Sequence, residues 1–177
     1  MQKLKIEEEI KLEKIAVKIR KKILRMIKAG RAGHVGGALS CADILTVLYF
    51  HIMRIDPQNP SWPERDRFVL SAGHKCLALY ATLAQKGFFE ASLLDTYGAL
   101  CTKLGGHPDM HKLPGIETNT GALGHGLSIA GGMAMGLRMD NLDAKVYVVM
   151  GDGELAEGSN WEAAAAISHH KLDNILV

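Results

Sequence analysis

Gly151-Asp152-Gly153-Glu154 carries the strongest chemical signal in this chain of 177 residues. The run Lys145–Met150 ahead of it reads as a buried strand. Glu157, Gly158 and a small-residue helix, Trp161–His170, follow it. A strand, a tight turn and a helix make a place that can hold a diphosphate and its divalent metal. The Asp152 carboxylate suits a hard cation such as Mg²⁺, which prefers oxygen and is shared with substrate phosphates. Glycine lets backbone approach phosphate, and a helix N-terminus adds unpaired N–H groups and partial positive charge. A Gly-Asp-Gly by itself is common in ordinary turns, so the motif needs its context. Glu154 is read as contributing much less than Asp152.

Four histidines lie in glycine-flanked loops. They are His34 in Gly33-His34-Val35-Gly36, His74 after Gly73, His107 in Gly105-Gly106-His107-Pro108, and His125 in Leu123-Gly124-His125-Gly126. Taken singly, each is explained as a surface or capping histidine. Together they suit a ligand with phosphates or hydroxyls, because histidine donates hydrogen bonds and moves protons near neutral pH. Zinc is a poorer reading: the adjacent His169 and His170 point to different helix faces. His51, His111, His169 and His170 are read as structural or solvent-exposed.

The elements that must position these groups follow from periodicity. Ile15, Ile19, Ile23 and Ile27, with Leu12, Ala16 and Leu24, form an apolar stripe on a helix over about residues 5–29, stopped by Gly30. Gly33–Gly37 reads as a loop. Ser40 and Asp43 resemble a capping box ahead of a helix reaching about Met53. Asp56–Pro63 is irregular, and Arg67–Ser71 reads as a short buried strand. A helix opens at Gly73-His74 and closes at Gly87, and a short one covers Glu90–Leu100. Gly105–Gly121 is a long loop of the kind that is functional or mobile. Gly124–Leu137 is a helix of small residues, Asp140–Asp143 a turn, and Asn174–Val177 the opening of another strand. Strands alternate with helices, so the fold expected is α/β, with a mostly parallel sheet and helices on both faces. Sites in such sheets lie beyond the C-terminal ends of strands, which puts the Ser71–His74 and Gly151–Gly153 loops in one crevice.

Composition bounds the rest. The chain is 47% hydrophobic and 23% charged, as in soluble globular proteins, and its length suits one domain. No run is long enough to cross a bilayer, and no signal peptide is evident. Cys41, Cys76 and Cys101 are scattered and read as reduced thiols of a cytoplasmic protein. The net charge is +2. Residues 1–30 hold ten Lys and Arg against four Glu, leaving eleven against fifteen acids in the body. An acidic body argues against a nucleic-acid surface, and the acidic residues and absent aromatics of the basic segment argue against membrane binding. A solvated basic helix over residues 1–30, packed on a domain over residues 31–177, is expected.

Several stretches resemble the N-terminal, diphosphate-binding part of transketolase, a thiamine diphosphate enzyme. They are Ala32–Gly37, Asp56–Pro60 with Trp62, Arg65–His74, Gly106-His107-Pro108, Thr120–Gly126, Gly151–Glu154, Glu157-Gly158 and Trp161-Glu162-Ala163. The resemblance runs from about Ile23 to Val177 and is nearest to transketolases split over two polypeptides, of which this would be the N-terminal subunit. It implies the thiamine-diphosphate-binding fold. Asp152 would bind the Mg²⁺ or Ca²⁺ that bridges the diphosphate, and Gly153 and His74 would contact the diphosphate. Gly121, Ala122 and Leu123 would lie along the aminopyrimidine and thiazolium, with Leu123 an apolar prop for the bent cofactor. His34 and His107 would hydrogen-bond sugar hydroxyls and assist proton transfer, and Glu157 would join a carboxylate network between active sites.

The sequence departs from the family at Val35, Ala122 and His125, none of which removes a named contact. The family's second side-chain metal ligand, an asparagine, falls just beyond Val177, so the diphosphate domain is expected to be incomplete at its C-terminal end. The carboxylate that activates the aminopyrimidine belongs to a pyrimidine domain, expected on a C-terminal partner subunit. The implied reaction is transfer of a two-carbon ketol unit from a ketose phosphate to an aldose phosphate, in carbohydrate metabolism of the pentose phosphate type. A homodimer within a heterotetramer is implied, and the isolated chain is expected to be inactive. The rival readings are a 1-deoxyxylulose-5-phosphate synthase-like enzyme, a split transketolase for an unusual sugar phosphate, and a non-catalytic fragment that binds cofactor or partner.

Overall fold

Apolar residues spaced three and four apart build the longest helix, α1 (Ile6–Gly30), which buries Ala16, Ile19, Ile23 and Met26. That spacing holds one face of a 3.6-residue turn, whereas residues four apart drift by about 40° per step. Ile15 and Ile27 are accordingly half-buried, and Leu24, expected in the stripe, is 51% exposed. Glu7, Glu8 and Glu9 occupy the first turn and Lys28 the last, the signs the helix dipole favours. Arg31, rather than Gly30, takes the left-handed closing position, its N–H donating to the Ile27 carbonyl at 2.8 Å.

The computed structural model describes residues 4–177. They form two units, the chain up to Met53 with Lys75–Gly106, and Arg54–His74 with His107–Val177.

The first unit is helical. The Gly33–Gly37 segment, expected as a loop, winds from Val35 into α2 (Val35–Ser40). α3 (Ala42–Val47) and a π-helical turn, Leu48–Ile52, continue it. The expected capping box does not form. Ser40 Oγ donates back to the Gly37 carbonyl at 2.8 Å, and Asp43 accepts two bonds from Arg20 of α1, at 2.9 and 2.5 Å. α4 (Cys76–Lys86) is buried at every position from Cys76 to Ala84, as its unbroken apolar sequence requires. Gly87 closes it at φ +100°, donating to the Leu83 carbonyl at 3.0 Å. The short helix expected over Glu90–Leu100 is a 3-10 turn, Ala91–Thr96, gripped by Arg25 of α1 through Asp95. Burial pushes the Cys76 thiol up to about 12.

The second unit holds the sheet. β1 (Arg67–Leu70), β2 (Val146–Val149) and β3 (Ile175–Leu176) run parallel in that order. The register pairs Arg67 with Val146, Leu70 with Val149, and Val146 with Ile175. α5 (Gly126–Met139) and α6 (Gly158–His169) complete an α/β arrangement, as expected from the alternation of elements. Leu127, Ala130, Ala134 and Leu137 of α5 join Val69, Val146 and Val148 in the core. Gly131 brings α5 close to α6: a Cβ there would stand 3.1 Å from Ile167.

Asp66 aligns the strand starts. It is 2% exposed and accepts the N–H groups of Arg54 (2.8 Å) and Lys145 (2.9 Å). Arg54's guanidinium lies 3.8 Å away. Asp66→Ala would strand two N–H groups and is expected to cost about 2–4 kcal/mol in denaturant unfolding. Asp143→Ala, at a side chain 98% exposed, should change stability by less than about 0.5 kcal/mol. In native protein at pH 8, an alkylating reagent should modify exposed Cys101 and leave Cys76 unmodified until the chain is unfolded. Mass spectrometry of the labelled peptides would read this.

Candidate functional site

Parallel pairing of β1 and β2 brings two strand-ending loops together. The Ser71 N–H donates to the Val149 carbonyl at 2.9 Å, so Ser71–His74 and Met150–Gly153 leave the sheet side by side. Gly73 and His74 begin a 3-10 turn, Gly73–Lys75. Gly73 touches a third segment. A Cβ at this position would stand 2.6 Å from the Thr120 carbonyl oxygen, a backbone atom that cannot yield. Glycine here lets the loop after β1 lie directly on the strip that begins at Thr120.

That strip, Thr120–His125, holds Gly121, Ala122 and Leu123. The His107 ring packs against Gly121, its Cδ2 3.0 Å from where a Cβ would be. A cleft of about 350 Å³ opens over the strip, lined by Asn119, Thr120, Gly121, Ala122, His125 and Ile129 among others. Thr120 Oγ1 is buried beside it with no hydrogen-bond partner among the described residues. Leu123 is 37% exposed, and His125 Nδ1 lies 3.2 Å from the Leu123 carbonyl. The long loop leading to the strip is fastened by Glu117, which accepts two bonds from Arg65 at 3.0 and 2.6 Å, with Arg67 Nε 3.7 Å away. Burial, and then Arg65 beside it, lower the pKa of Arg67.

Asp152 lies at the end of the β2 loop. Its carboxylate is exposed and makes no hydrogen bond or ion pair among the described residues. Gly153 is open: none of the described residues stands within 4 Å of a Cβ built there. The expected direct passage from turn to helix does not occur. A 3-10 turn, Gly153–Ala156, intervenes before α6. It turns Glu154 inward, where 2% of the residue is exposed. Glu154 Oε1 accepts the Ser71 hydroxyl and the Gly124 N–H (2.9 Å), and Oε2 accepts the Gly151 N–H (3.0 Å). Glu157 ends the turn with its carboxylate exposed, and its Cβ would stand 2.7 Å from a Cβ on Gly124. Gly124 itself has φ +84°, a left-handed value that glycine adopts without strain.

The second unit thus contains His74, His107, Gly121, Ala122, Leu123, Asp152, Gly153 and Glu157, whereas His34 caps α2 in the first. Glu154 and Ser71 are the residues that sequence reasoning undervalued. Their only local sign is adjacency to the Gly-Asp-Gly motif and to β1. His107 and His111 stand four apart but on a loop, and among the described residues no cluster of three His, Cys, Asp or Glu side chains could hold a metal by itself. A cation at Asp152 would therefore draw its other ligands from backbone and from a phosphorylated ligand. An unpaired carboxylate, an open glycine and a cleft along a glycine-bearing strip fit a metal-diphosphate group.

Residues 12–177 match the family described as transketolase, thiamine diphosphate binding domain. One of the two polypeptides of an apulose-4-phosphate transketolase from Phocaeicola vulgatus is 52% identical over 165 residues, 93% of this chain and 58% of that protein. The 6-deoxy-6-sulfo-D-fructose transketolase subunit SqwG of Clostridium sp. is 49% identical over 170 residues, 96% of this chain and 62% of that one. The chain thus spans about three fifths of the length of these relatives. Among solved structures, transketolase from Campylobacter jejuni superposes with a TM-score of 0.86 at 38% identity, over 92% of this chain and 27% of that one. Transketolase from Leishmania mexicana superposes with a TM-score of 0.87 at 32% identity, over 93% and 26%. With the strand-ending loops, the glycine-bearing strip and the Asp152 turn arranged as described, the chain belongs to the transketolase family, as its thiamine diphosphate binding domain.

Proposed function

We propose that this chain is the N-terminal, diphosphate-binding subunit of a two-subunit transketolase that moves a two-carbon ketol unit from a ketose phosphate to an aldose phosphate. The observation that carries this reading is the unpaired Asp152 carboxylate on an open turn beside the Gly121–Leu123 strip. The relatives named as separate subunits support a partner chain, which would supply the pyrimidine domain. Their names include a sugar phosphate and a sulfonated fructose, so substrates with a terminal anion suit this family branch.

Thiamine diphosphate, when bound, supplies an electron sink for carbon–carbon bond cleavage. This chain's residues bind and orient. Asp152 would offer an oxygen ligand to Mg²⁺ or Ca²⁺, and open backbone at Gly153 would admit the diphosphate. His74 would donate to a diphosphate oxygen. Gly121 and Ala122 would lie under the cofactor rings, with Leu123 excluding water beside them. His107 and His34 would hold sugar hydroxyls and pass protons, and Glu157 would extend a carboxylate network toward a second active site. The assembly would contain two copies of each polypeptide.

Asp152→Ala in the assembled enzyme is expected to abolish Mg²⁺-dependent binding of thiamine diphosphate, read by calorimetry. Wild-type affinity in that variant would remove Asp152 from the metal site and this reading with it. His107→Ala should lower kcat/KM for the donor ketose about tenfold or more while leaving cofactor affinity within about threefold. His74→Ala should weaken cofactor binding first. Equal loss of cofactor by both variants would refute a substrate role for His107.

A further inference from the structure

We infer that Glu154 is a positioning residue: its buried carboxyl group fixes the Gly121–Leu123 strip against the Gly151–Gly153 turn and so sets affinity for thiamine diphosphate without contacting it. The inference rests on the proposed function, which makes these two segments the cofactor's bed. Three observations carry it.

The first is the bonding pattern. Gly124 follows directly on the strip, and Gly151 directly precedes Asp152. Their N–H groups donate to different oxygens of the same carboxyl group, at 2.9 and 3.0 Å. The separation of the two segments is therefore limited by one rigid, planar group. Ser71, at the end of β1, adds its hydroxyl to Oε1 and ties the sheet to the same point.

The second is the rigidity of the anchor. Asn160, itself 2% exposed, donates from Nδ2 to the Glu154 carbonyl at 2.6 Å. Ser159 Oγ donates to the Gly124 carbonyl at 2.8 Å, so the Gly124 residue is held at both its N–H and its C=O. Neither segment can shift without breaking a buried hydrogen bond.

The third is chemical. Each hydrogen bond to the Glu154 carboxyl group comes from a donor, and both oxygens are in use. A glutamine has one acceptor oxygen and one NH₂ group. In either orientation its NH₂ meets an N–H group, and either Gly124 or Gly151 is released. Glu154→Gln is thus nearly isosteric yet separates the two segments. Placement errors on the order of 1 Å are large for a bound, oriented cofactor.

In the assembled enzyme, Glu154→Gln is expected to raise the Kd for thiamine diphosphate with Mg²⁺ by about tenfold or more. The KM for donor sugar at saturating cofactor should stay within about twofold. Calorimetry well below the melting temperature, on protein with unchanged far-ultraviolet circular dichroism, separates this from simple destabilisation. Ser159→Ala provides a second reading, because it frees the strip from its other side while Glu154 stays bonded. It should weaken cofactor binding about threefold or more. A folded Glu154→Gln enzyme that binds cofactor like wild type overturns the inference. So does an unchanged Kd in Ser159→Ala if the Glu154 variant does not fold. Wild-type enzyme that binds no thiamine diphosphate would instead overturn the proposed function.

Discussion

One buried carboxyl group organises the second unit. Glu154 sits among neutral donors from three segments that are far apart in the chain, and each bond satisfies a polar group that burial would otherwise leave costly. The arrangement demands close backbone packing. Gly124 must be glycine where Glu157 and Ser159 crowd it, and Gly73 must be glycine where Thr120 approaches. The open chemistry of the site follows from this closed interior. With Glu154 turned inward, its neighbours Asp152 and Gly153 are left facing outward, one with a free carboxylate and the other with accessible backbone.

Other charges in this unit serve alignment. Asp66 joins the N–H groups of Arg54 and Lys145 ahead of β1 and β2, so the two central strands begin in register. Glu117 fastens the long loop through Arg65 and Arg67. That loop has no regular secondary structure between His107 and Gly121, and a forked guanidinium–carboxylate pair gives it fixed geometry that backbone pairing does not. The parallel sheet, the Glu117 clamp and the Glu154 hub together hold the strip, the cleft and the Asp152 turn within one unit. The helical unit is built differently. It rests on apolar packing about α1 and the buried α4, and the ion pairs among its described residues lie at its surface.

The sequence by itself determined the elements whose signal is local. The runs at Arg67–Ser71 and Lys145–Met150 were legible as strands because parallel strands buried on both faces are continuously apolar. α4 and its stop at Gly87 were legible from an apolar run followed by a left-handed glycine. The chemistry-bearing residues were legible as types: a carboxylate between glycines, histidines beside glycines, and a family resemblance that the match over residues 12–177 bears out. Tertiary structure alone decided which polar groups face inward. Ser71 and Glu154 are 83 residues apart, and Gly124 and Glu154 are 30 apart, so no window of sequence contains their contact. For the same reason Asp43 pairs with Arg20 instead of capping a helix with Ser40, and Leu24 faces water although it neighbours a stripe of isoleucines. Periodicity and turn chemistry act over a few residues, whereas the burial of a carboxyl group depends on donors that only the folded chain brings to it.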